Sequence, residues 1–111
     1  IPRERTAVED RIAGHRTAIE AAKRAVTELE LKRKDFENTL RTLEEQIQRY
    51  RNQQLQVKKN DEYQALTHEI ELTEGRIGEV EEKEIELLYE LYAASAKSAE
   101  AERDLKIAIG Q

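Results

Sequence analysis

With 111 residues, 39% of them charged and 38% apolar, the chain has room for one domain but not for a thick globular core. It contains no Cys, which excludes disulfides and thiolate zinc sites within this sequence, and no apolar run approaches the roughly 20 residues needed to cross a bilayer. The net charge of −5 is unevenly divided: residues 1–59 carry 14 Lys/Arg against 10 Asp/Glu, and residues 60–111 carry 5 against 14.

The sequence begins with Ile1 rather than Met, so a fragment of a longer protein is expected. No signal-peptide pattern is visible, and with the absence of Cys this makes the cytoplasm the expected location. The first element is marked by apolar residues in alternating steps of four and three. The seam runs Val8, Ile12, His15, Ile19, Ala22, Val26, Leu29, Arg33, Phe36, Leu40, Leu43, Ile47, Tyr50, Gln54 and Val57. Sustained heptad spacing of this kind belongs to a long helix lying along another helix. It predicts a first helix over about 3–58.

The pattern breaks at Lys58-Lys59-Asn60-Asp61-Glu62. Two lysines suit a helix C-terminus, where the dipole is negative, and Asn60 can take the left-handed conformation just beyond it. Asp61 then serves as the cap of the next helix, Gln64 completes a capping box, and Glu62 favours the positive helix end. A tight turn is therefore expected near residues 58–62, centred on about 59–61.

The spacing resumes over about 62–109, through Tyr63, Leu66, Ile70, Thr73, Ile77, Val80, Glu84, Leu87, Leu91, Ala94, Ser98, Ala101, Leu105 and Ala108. The fold class is all-α: one domain, residues 1–111, forming a long antiparallel two-helix coiled-coil hairpin. At ~1.5 Å per residue each arm spans roughly 75–85 Å. Folding a basic arm onto an acidic one also gives the charge asymmetry an intramolecular outlet. With the turn at Asn60, Leu43 pairs with Ile77 and Leu29 with Leu91. Arg33 and Glu84 then fall in adjacent layers, and an Arg33–Glu84 pair is expected to fix the register at some cost in stability. Alanines 18, 21, 22 and 25 lie opposite alanines 93, 94, 96, 99 and 101, where the helices can approach toward the lower end of the ~8–10 Å range. Gly75 and Gly78 fall on the outer face of the second helix, and Gly14 is a corresponding weak point in the first.

The turn segment Val57-Lys58-Lys59-Asn60-Asp61-Glu62-Tyr63-Gln64-Ala65-Leu66-Thr67-His68-Glu69-Ile70 resembles the turn of a bacterial family built from a coiled-coil hairpin and a C-terminal four-cysteine zinc ribbon. That family carries Val-Lys-Asn-Asn-Lys-Glu-Tyr-x-Ala-Leu-x-x-Glu-Ile there. Val57, Lys58, Asn60, Glu62, Tyr63, Ala65, Leu66, Glu69 and Ile70 match it, while Lys59 and Asp61 depart. The opening Ile1-Pro2 is similar to an Ile-Pro in the family's N-terminal arm. The resemblance covers the hairpin alone, and zinc is expected only in a ribbon that this sequence does not contain. It implies an adaptor or chaperone-like role, as in members linked to flagellar and type III secretion or to an alternative sigma factor.

The sharpest surface feature is Ile85, Leu88, Tyr89 and Tyr92, an apolar stripe at i, i+3, i+4 and i+7 displaced from the seam. Leu88 flanks the seam and the other three point outward. Such residues suit a contact with a second copy, as in a homodimer, or with a protein partner. The turn residues Lys58, Asn60, Asp61, Glu62 and Tyr63 read as a recognition tip or as helix caps and a last core layer. His15 lies at the seam and His68 on the outer face, too far apart in the expected register to share a metal. No zinc-protease, phosphate-loop or nucleophile-elbow motif is present, and paired glutamates such as Glu81-Glu82 read as solvated faces, so no enzyme activity and no small-molecule substrate are expected. The basic run Lys32-Arg33-Lys34 with Arg41, Arg49 and Arg51 is interleaved with carboxylates, which dilutes any nucleic-acid footprint. The leading expectation is a protein-interaction module, beside two alternatives: a helical arm that binds RNA or other nucleic acid, and a structural spacer.

Overall fold

Ala, Leu, Glu, Lys, Gln and Arg dominate the sequence, and each loses little on entering a helix. The computed structural model describes residues 2–110, so the Ile1 of the Ile-Pro resemblance lies outside the described residues. Two helices fill it, α1 (Pro2–Gln54) and α2 (Asn60–Gly110), with residues 55–59 between them. The fold is an all-α helical hairpin. Residues 32–87 form a turn unit, and the described residues up to Leu31 with those from Leu88 onward form a terminal unit.

In the turn unit the seam is well closed. Ile47, Ile70 and Leu87 are buried, and Phe36, Leu40, Leu43, Tyr50, Leu66, Ile77 and Val80 are half-buried. Thr73 has no exposed surface, and its hydroxyl donates to the Glu69 carbonyl of its own helix at 2.8 Å, so this buried polar group is satisfied. Across the two antiparallel segments the Gln54 amide donates to the Thr67 hydroxyl (2.8 Å) and the Tyr63 carbonyl (3.2 Å). Arg51 pairs with Glu74 at 3.6 Å.

The terminal unit has the same spacing and smaller side chains. Leu91 is buried, while Ile12, His15, Ile19, Ala22, Val26 and Leu29 on α1 and Ala94, Ser98, Ala101, Leu105 and Ala108 on α2 are half-buried. Lys23 bridges to Glu102 at 3.2 Å, while the earlier His15 lies beside the later Ala108, so the two segments run antiparallel here too. A groove of about 530 Å³ runs beside Ala18, Ala21, Ala22 and Ala25, walled on α2 by Lys97, Glu100, Ala101 and Asp104; of the α2 alanines expected opposite them, Ala94 and Ala101 are half-buried, whereas the helical repeat turns Ala93, Ala96 and Ala99 out to solvent.

Three expectations need correction. First, α1 ends at Gln54, four residues before the expected boundary, and α2 begins at Asn60. The Gln53 carbonyl accepts from the amides of both Gln56 (3.0 Å) and Val57 (3.1 Å), which tightens and closes the last turn of α1. Second, Asn60 is not left-handed, since no described residue has positive φ, and Asp61 is not the cap. The first α2 bond runs from the Tyr63 amide to the Lys59 carbonyl at 3.1 Å, which makes Lys59 the capping position. Asp61 and Glu62 sit in the first turn, where the helix dipole favours carboxylates. Third, Arg33 does not pair with Glu84. Its guanidinium turns to Glu37, one turn along α1, at 3.6 Å, and its side chain stays half in solvent. The i, i+4 partner is reached without desolvating the charge, which a seam partner would require.

Candidate interaction site

The α2 stripe comes from the helical repeat. Leu87 and Leu91 are drawn into the seam, and residues at intermediate angles are carried outward. Ile85, in the turn unit, is more than half exposed. In the terminal unit Leu88 is half-buried beside the seam, while Tyr89 and Tyr92 are 72% and 71% exposed. No hydrogen bond within the described residues uses either of these two hydroxyls. Tyr50 differs: it lies in the seam, half-buried, and its hydroxyl accepts from the Gln46 amide at 3.2 Å.

At the turn, Lys58 is exposed and non-helical, and Asn60, Asp61 and Glu62 are exposed in the first turn of α2. Tyr63 is 45% exposed, and its carbonyl receives Gln54. A shallow groove of about 440 Å³ lies here, lined in part by Val57, Lys58, Lys59, Glu62 and Leu66. Two residues escaped the sequence reading. The heptad puts Gln54 in the seam but does not reveal its role as a cross-helix clasp; a polar seam residue beside the turn is the signal for it. Leu55, 85% exposed, is the most exposed large apolar side chain among the described residues, and it lies off the heptad.

Arg33 and Glu84 are not brought together, and one Glu84 carboxylate oxygen is buried with no hydrogen-bond partner. His15 is half-buried at the seam beside Arg11, Asp104, Ile107 and Ala108, whereas His68 is exposed in the turn unit. Among the described residues, no three or more His, Cys, Asp or Glu side chains gather as metal ligands would. No described helix is long and apolar enough to cross a membrane. No family model, curated protein or solved structure matches the chain.

Proposed function

We propose that this chain is a non-enzymatic protein-interaction module: the helical-hairpin arm of a bacterial adaptor or chaperone-like protein. The observation that carries this reading is the outward placement of Tyr89 and Tyr92 on α2, away from the buried Leu87 and Leu91. Two large amphipathic rings left in water offer contact area with a polar handle, and tyrosine is enriched where proteins meet. The turn residues from Val57 to Ile70 support the same reading through their resemblance to the zinc-ribbon family. The basic residues of α1 give less support to nucleic acid. Arg33 is paired with Glu37 and Arg51 with Glu74, which offsets positive charge at those two points of the arm.

The test is affinity capture from cell lysate with and without nuclease, using the tagged chain and a Tyr89→Glu/Tyr92→Glu variant. A defined protein set that survives nuclease and is lost from the variant is the expected result. Material that disappears with nuclease would overturn the reading in favour of a nucleic-acid arm, and an empty capture would favour a spacer.

A further inference from the structure

Resting on the reading of the α2 outer face as an interaction surface, we propose that its occupant is a second copy of this chain, packed antiparallel, α2 against α2, about a twofold axis at Ala96. In the terminal unit Tyr89, Ala96 and Arg103 recur at intervals of seven and are all exposed, so they share one line along the helix. Laid antiparallel on itself about Ala96, this line is self-complementary. Tyr89 meets Arg103 of the second copy, and the reciprocal pair forms by symmetry. A guanidinium over a tyrosine ring is a favourable contact, and Arg103 has no ion-pair partner among the described residues.

The flanking positions follow the same rule. Tyr92 meets Glu100, whose carboxylate can accept the phenol proton in a hydrogen bond, and Ala93 meets Ala99. The three alanines around the axis let the helices approach to the lower end of the ~8–10 Å range, while the bulky rings sit to either side. A parallel, in-register alignment of the same faces would set Arg103 against Arg103 and Glu100 against Glu100, so charge selects the antiparallel arrangement.

The chain contains no natural Cys, so a single introduced thiol reports the geometry directly. Ala96→Cys at the axis places the two sulfurs within disulfide reach and is expected to form covalent dimers under mild oxidation. Ile107→Cys, on the same outer side but far from the axis, leaves its two copies roughly 33 Å apart at ~1.5 Å per residue and is expected to stay reduced. Sedimentation equilibrium of the unmodified chain should give a mass rising to twice the monomer with concentration. Arg103→Glu should remove that rise, with unchanged helicity by circular dichroism. A monomer mass at every concentration, or Ile107→Cys linking as readily as Ala96→Cys, overturns the arrangement. Its failure is separable from that of the proposed function. A monomer that still captures a protein refutes the dimer alone, and a dimer that captures nothing refutes the adaptor reading alone.

Discussion

The turn unit buries Ile47, Ile70, Thr73 and Leu87, whereas in the terminal unit Leu91 is the one buried residue among those described, although both units keep the same heptad spacing. The difference lies in side-chain volume. Leu, Ile and Phe fill the seam of the turn unit, while Ala and Ser occupy Ala22, Ala94, Ser98, Ala101 and Ala108 in the terminal unit. Charge divides along the same line. Within α2, the stretch from Asn60 to Leu87 carries 10 Asp/Glu against 2 Lys/Arg, but the stretch from Leu88 to Gly110 carries 4 against 3. Periodicity therefore decides which face of a helix meets its neighbour, and volume decides how far that face is withdrawn from water. One unit closes its seam, and the other leaves its seam half open to water.

The strongest way to break this contrast is truncation of matched seam leucines. Leu87→Ala removes a 4% exposed side chain from the turn unit and should cost about 2–4 kcal/mol in urea denaturation, from lost burial and the cavity left behind. Leu105→Ala in the terminal unit removes a half-buried one and should cost about half as much. Equal losses would mean that the two seams are equally closed.

Glu84→Leu acts in the opposite direction. It replaces a carboxylate whose buried oxygen has no partner with an apolar residue at a seam position, and should raise stability by about 1–2 kcal/mol. A fall in midpoint would show that the carboxylate finds compensation. Gln54→Leu makes this seam position apolar but removes the bonds to Thr67 and the Tyr63 carbonyl. It should cost about 1 kcal/mol and speed amide exchange at the start of α2 while leaving the terminal unit unaffected. The smallest effect is expected from Gly75→Ala and Gly78→Ala. An added methyl meets nothing within 4 Å at either site, so each should gain up to about 1 kcal/mol in thermal unfolding.

Much of this architecture was legible in the residues. The alternation of four and three placed Ile47, Ile70, Thr73, Leu87 and Leu91 on the seam, and these are the buried side chains. What the pattern missed is local and polar. Residues 55–58, Leu-Gln-Val-Lys, contain no Gly or Pro, so nothing in their propensities halts α1. The helix stops where the Gln53 carbonyl is shared by two amides and the Gln54 side chain leaves for the facing segment, and a seven-residue repeat carries no information about either. Arg33 escaped for a related reason. The repeat assigns it to the seam, but its long side chain reaches Glu37 without entering it. The α2 stripe could be read as an exposed face; its occupant could not, because what covers a surface is not encoded in the period that exposes it.

Residues 55–59 are the only described ones outside a helix, and they present a bare Leu55 next to Lys58 and Lys59. A protease must draw several residues into an extended strand before it can cut, which helical backbone resists and this segment does not. Of the 19 lysines and arginines, Lys58 and Lys59 should therefore be the first cleaved by trypsin. A brief digestion would nick the polypeptide once and yield α1 and α2 as separate peptides, turning a single covalent chain into a heterodimer whose association can be titrated directly.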